Sequence, residues 1–122
     1  MESTGASRNA FMNLRDSLRH FAAERNWDQF HSPKNLAIAL IVETAELLEH
    51  FQWLTDDESK SLSSEKLTTL GEEIADILIY LVRLADKLDV NLLEVTQRKI
   101  ELNAHKYPSN KVRGSSRKYT EL

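Results

Sequence analysis

Apolar residues recur at helical intervals in four stretches of this chain, and no stretch shows the period-two alternation of a strand. In residues 9–25, Phe11, Leu14, Leu18, Phe21 and Ala22 fall at three- and four-residue steps and form one stripe. Residues 26–32 break the pattern. Ser32-Pro33 reads as a helix start, because Ser caps free backbone N–H groups and Pro tolerates the first helical position. The spacing predicts a second helix over 33–54, its first half apolar on every side, the pattern of deep burial. Residues 55–64 are polar and rich in Asp and Ser, and predict a loop. A third helix is predicted over 65–88, where Leu67, Leu70, Ile74, Ile77, Leu78, Leu81, Leu84, Ala85 and Leu88 make a sustained stripe. Asp89-Val90 is a short connector. Asn91, with Glu94 three residues on, can form a capping box for a fourth helix that runs to about Lys106 and stops at Tyr107-Pro108.

These elements make an all-α fold, a four-helix bundle over residues 1–108, followed by a polar, basic tail over 109–122 that is Ser- and Lys/Arg-rich without apolar period. The tail reads as flexible, or as an arm that orders on a partner. A length of 122 residues suits one domain. Only 3 Gly and 2 Pro disfavour a many-turned β fold, and the lack of Cys removes disulfides, thiolate metal sites and Cys nucleophiles. With 16 Lys+Arg against 19 Asp+Glu, a net charge of −3 offers no basic surplus for a nucleic-acid polymer. The longest apolar run, residues 36–42, is too short to cross a bilayer, and residues 1–8 show no hydrophobic signal region. The expectation is a cytoplasmic protein without a membrane partner.

The chemistry concentrates on the two central helices. The second carries Glu43-Thr44-Ala45-Glu46 and the third Glu73-Ile74-Ala75-Asp76. In each, two carboxylates three residues apart project from one face about one turn apart. Glu73 lies about 80° from the centre of its apolar stripe, so it flanks the core. Glu43 and Glu46 follow seven apolar residues, where an unsatisfied carboxylate is costly. Arg83 is the only basic residue between Lys66 and Lys87. Either pair alone reads as ordinary solvated surface. Two pairs on adjacent apolar helices, short of cations, read equally well as a site for a hard divalent cation, Mg²⁺, Mn²⁺ or Ca²⁺.

Other chemistries lack their residues. A di-iron bundle needs Glu-x-x-His on two helices, and the third helix has no His. There is no Gly-x-Ser-x-Gly turn, and Gly5, Gly71 and Gly114 are too scattered for a phosphate loop. Trp27-Asp28-Gln29-Phe30-His31 places two large rings where a polar linker would suffice, Trp53 ends the second helix, and Tyr80 lies one turn beyond Asp76. These rings either stack on a base or plug the bundle end. Lys99, Asn103 and Lys106 share one face of the fourth helix, which suits phosphate oxygens and equally a solvated surface.

Together these segments resemble the all-α nucleoside triphosphate pyrophosphohydrolases, the MazG-like group, and within it the eukaryotic dCTP-hydrolysing branch. The matching stretches are Phe21-Ala-Ala-Glu-Arg-Asn-Trp-Asp-Gln-Phe-His31, Glu43-x-x-Glu46, Phe51-Gln-Trp53, Glu72-Glu-Ile-Ala-Asp-Ile-Leu-Ile-Tyr-Leu81, residues 99–108 and residues 115–122. The resemblance implies a homotetramer and Mg²⁺ held by Glu43, Glu46, Glu73 and Asp76. It implies substrate contacts from Trp27, Asp28, Gln29, Phe30, His31, Trp53 and Tyr80, with Lys99, Asn103 and Lys106 on the triphosphate. The implied activity is hydrolysis of dCTP and 5-modified dCTP to dCMP and pyrophosphate, which would sanitise the nucleotide pool. A dUTP or broad-specificity pyrophosphatase and a non-catalytic helical oligomerisation module are the alternatives. One position departs from the pattern: a substrate-contacting His of the family falls on Leu18, with His20 two positions away.

Overall fold

The computed structural model describes residues 5–121. Residues 1–4 of the polar N-terminal stretch and Leu122 of the tail lie outside the described residues. Every regular element described is helical: α1 (Gly5–Glu24), α2 (Pro33–Glu49), α3 (Asp56–Ser59), α4 (Ser64–Lys87), α5 (Leu92–Lys106) and α6 (Ser109–Val112), with single 3-10 turns at Asp28–Phe30 and Tyr119–Glu121. The all-α expectation holds.

Local chemistry sets the boundaries. Ser32 Oγ accepts from the Asn35 N–H at 3.1 Å and Pro33 opens α2, as predicted. Ser63 caps α4 and Asn91 caps α5 in the same way, by accepting from the amide three residues on. The chain spends no Gly on closing α1 and α4. Asn26 (φ 54°) and Asp89 (φ 55°) take the left-handed position, and the next residue bonds five back, Trp27 N–H to Ala22 O at 2.9 Å and Val90 N–H to Ala85 O at 2.8 Å.

Two boundaries differ from expectation. The second helix stops at Glu49, and residues 50–54 form turns with bonds such as Leu54 N–H to Phe51 O at 2.9 Å. The reason lies across the seam: His50 already faces Lys66, near the start of α4, so residues beyond it have little of α4 to pack on. The predicted loop over 55–64 contains one helical turn, α3, nucleated by a reciprocal capping box of Thr55 and Glu58. Thr55-x-x-Glu58 was present to be read in the sequence. The tail forms α6 and a final 3-10 turn, and Tyr119 meets Tyr107 edge-on at 6.0 Å between ring centroids.

The packing is centred on α2 against α4, with α1 on α4 as the second seam. The pairs His50–Lys66 and Glu43–Asp76 show that α2 and α4 run antiparallel. The fully enclosed apolar core is small: Ala22, Leu36, Leu70, Val82 and Ala85. Much of the predicted stripe of α4 faces outward instead. Leu67, Ile74, Leu78 and Leu81 form an exposed ridge, and Ile38, Ile41 and Leu48 of α2 are exposed as well. The deep burial expected for the first half of α2 is therefore met only at Leu36 within one chain.

The α1–α4 seam carries a charge network. Arg19 grips Asp86 through two parallel guanidinium hydrogen bonds, one of 2.6 Å, and the Arg19 contact holds the Asp86 carboxyl below the usual carboxylate range. A depressed folded-state pKa stabilises the fold above the unfolded value, and that contribution disappears as pH falls through the folded value. Asp86→Asn is therefore expected to lower stability at pH 7, with the gap to wild type closing below about pH 4. Urea denaturation of both proteins across that range measures it, and a pH-independent gap would refute the assignment.

Candidate active site

The antiparallel α2–α4 seam brings the two acidic motifs together. Carboxylate oxygens of Glu43, Glu73 and Asp76 all lie within 4.8 Å of one another. Glu43 and Glu73 are half-buried and Asp76 is exposed. Glu46, one turn after Glu43, is exposed and stands outside this closest group, but its side chain bears on Glu43 directly. Burial pushes the Glu43 carboxyl above its usual range, and the neighbouring charges of Glu46, Asp76 and Glu73 push the same way.

No Lys or Arg among the described residues pairs with Glu43, Glu46 or Asp76. Glu73 Oε2 is buried and has no hydrogen-bond partner. A buried carboxylate oxygen without a donor is expensive, and a bound cation is one way to satisfy it. The donor set is all oxygen, which suits a hard divalent ion rather than zinc. These residues fit a metal of the Mg²⁺ type.

Two residues at this site escaped the sequence reading. His50 Nε2 stands 3.8 Å from Glu73 Oε1, while His50 Nδ1 meets Lys66 Nζ at 2.9 Å. An ammonium only donates, so Nδ1 accepts and the ring proton sits on Nε2, toward Glu73. The signal was seven-residue spacing: His50 follows Glu43 by two turns, and Lys66 precedes Glu73 by two turns.

The aromatic segment does not plug the bundle end. Trp27 is 43% exposed and Phe30 60%, and Trp53 in the turns after α2 is 87% exposed. Trp27 meets Phe21 edge-on at 5.7 Å and the His31 ring at 6.3 Å. Asp28 is held by Arg83 at 2.8 Å and Lys87 at 3.1 Å, and those cations keep its carboxyl below its usual range. Gln29 donates to the Asn26 carbonyl at 2.9 Å. His31 is half-buried, and burial with the nearby Arg83 charge lowers its pKa. Tyr80 is half-buried on α4, one turn from Asp76.

On α5, Lys99, Asn103 and Lys106 are exposed, and no hydrogen bond or ion pair joins them to the acidic group. Lys106 Nζ sits 5.0 Å over the Tyr119 ring instead. His20, the displaced His of α1, pairs with Glu24 at 2.7 Å. A surface recess of about 590 Å³ lies beside α3, lined by Leu54, Glu58 and Lys66 among others, and none of the four carboxylates borders it. No helix of the described residues is long and apolar enough to cross a membrane.

The chain is 49% identical over 104 residues to human dCTP pyrophosphatase 1, and 47% identical to the bovine protein of that name. Each alignment covers 84% of this chain, but only 61% and 62% of the respective relatives. The crystal structure of a pyrophosphatase from Archaeoglobus fulgidus superimposes with a TM-score of 0.76 at 45% identity, over 80% of this chain and 91% of that one. Residues 38–122, from the first half of α2 through both acidic motifs to the end of the tail, match the MazG-like family, and the chain belongs to that family.

Proposed function

We propose that this protein hydrolyses a nucleoside triphosphate, dCTP and its 5-modified forms foremost, to the monophosphate and pyrophosphate, with Mg²⁺ as cofactor. The observation that carries the proposal is the convergence of Glu43, Glu73 and Asp76 within 4.8 Å around a buried, unpartnered carboxylate oxygen. The names of the human and bovine relatives support dCTP as the substrate.

Glu43, Glu46, Glu73 and Asp76 would hold the metal. When bound, Mg²⁺ supplies neutralisation of the triphosphate charge and acidifies water. A water attacks the α-phosphorus, and the bond from that phosphorus to the bridging oxygen breaks, so pyrophosphate leaves. A carboxylate of the acidic group accepts the proton of that water. Trp27, Asp28, Gln29, Phe30 and His31, with Trp53 and Tyr80, form the walls for base and sugar, and exposed flat rings suit a stacked base. Lys99, Asn103 and Lys106 take triphosphate oxygens. The role is sanitation of the nucleotide pool in the cytoplasm.

The protein acts as a homotetramer. A single chain exposes 9533 Å². Compact monomers of 14.0 kDa expose about 6,700 Å², so the surplus is on the order of 2,800 Å². Stable oligomer interfaces bury about 1,000–2,500 Å² per partner, so this surplus supports more than one contact with other copies. The apolar ridges of α2 and α4 are the surfaces available for it.

Three measurements test these readings. Incubation with dCTP and Mg²⁺, with products separated by ion exchange, is expected to yield dCMP and pyrophosphate; orthophosphate with a diphosphate would reject the reaction. Mg²⁺ binding only the folded state is expected to raise Tm, by about 2.7 kcal/mol of stabilisation at a hundredfold excess over Kd. Glu46→Gln should shrink that gain and abolish most hydrolysis, and unchanged behaviour would remove Glu46 from the site. Analytical ultracentrifugation should give four times the chain mass, lowered by Ile41→Glu; a wild-type monomer would defeat the tetramer.

A further inference from the structure

Arg83 presents a physical problem that its surroundings answer. Its side chain is 4% exposed, and a guanidinium cannot be discharged, so it must be paired. It does not turn toward the acidic site. Arg83 Nη2 donates to Asp28 Oδ1 at 2.8 Å and to His31 Nδ1 at 3.2 Å, and Nη1 stands 3.8 Å from Asp86. Lys87, one turn on, reaches the same Asp28 oxygen at 3.1 Å. Two of these partners, Asp28 and His31, belong to the segment that carries Trp27 and Phe30.

Little else fastens that segment to α4. None of residues 28–30 is buried, Phe30 is 60% exposed, and the partly covered Trp27 ring meets Phe21 of α1, so apolar burial on α4 contributes little. Its other described hydrogen bonds run to its own neighbourhood in sequence: Trp27 N–H to the Ala22 carbonyl at the end of α1, Phe30 N–H to Trp27, His31 N–H to Asp28, Gln29 to Asn26, and Asn35 to the Phe30 carbonyl at 3.1 Å. Those bonds shape the turn without docking it. Both ionic links end on exposed Asp28; the Arg83 contact is the shorter, and its guanidinium is buried where the Lys87 ammonium is partly exposed.

The register of α4 gives this docking a purpose. Asp76, Tyr80, Arg83 and Lys87 follow one another at steps of four, three and four, so they share one face. Arg83 is seven residues past Asp76, about 10 Å along the helix axis. We propose that Arg83, acting through Asp28 and His31, is a positioning residue that sets the distance between the base-stacking rings and the acidic site, and so governs affinity for the nucleoside end of the substrate. The proposal rests on the pyrophosphohydrolase reading above.

The test reads fluorescence on protein carrying Trp53→Phe, which leaves Trp27 as the only tryptophan, and reads kinetics on protein that keeps Trp53. Asp28→Asn is made alongside Arg83→Gln, because exposed Asp28 can be changed without emptying the core. In both variants acrylamide quenching of Trp27 should rise. In Arg83→Gln, KM for dCTP should rise about tenfold, the scale of one misplaced contact, while kcat stays within about twofold. Asp28→Glu, which keeps the charge, should recover part of the protection of Trp27 from quenching. Unchanged Trp27 quenching in both variants overturns the latch, and so does a loss confined to kcat with KM unchanged. Failure of the underlying function is seen separately, as no pyrophosphate from the protein that keeps both Trp53 and Arg83, and the Trp27 readout then still decides whether Arg83 holds the segment.

Discussion

The mutual repulsion of carboxylates across the α2–α4 seam is the constraint around which this molecule is arranged. Glu43 is carried into a partly buried position by the same apolar helix that supplies Leu36 to the core, and it meets Glu73 and Asp76 there. No Lys or Arg of the described residues neutralises the group, and the neutral His50 ring turns its Nε2–H toward Glu73 from 3.8 Å. Held this way, the acids raise the energy of the empty seam and lower that of a seam holding a divalent ion.

The cations that could have relieved this strain are employed elsewhere. Arg83 and Lys87 hold Asp28, Arg19 holds Asp86, and Lys66 is turned to His50. The result is a separation along α4: an acidic half near Glu73 and Asp76, and an ion-paired half near Arg83 that docks the aromatic segment. One helix thus carries the acidic group and the anchor of the aromatic segment, and its rise per residue fixes their spacing.

A second feature is how little of the apolar pattern one chain encloses. Leu36 and Val82 are fully buried, while Ile41, Leu48, Leu67, Ile74 and Leu78 remain open. Helices α2 and α4 are each apolar on more than one side, and a single neighbour covers only one of them. The remaining faces lie on the same two helices that hold the acids.

The four long helices, the caps at Ser32 and Asn91 and the paired acids were legible along the chain, because periodicity, capping and i,i+3 spacing are local properties of one helix. The Thr55–Glu58 box was equally legible in principle and is a turn of helix rather than loop. What only the tertiary arrangement decided is which residues meet across elements. The stripe of α4 did not reveal that Leu70 faces inward while Leu67 and Ile74 face outward, since both fit one amphipathic pattern. Nor did it reveal that Arg83 serves Asp28, 55 positions away, rather than the acids on its own helix. Local spacing fixes the direction of a side chain from its own axis; the partner that neutralises a charge is set by how the axes pack, and that is a property of the assembled fold.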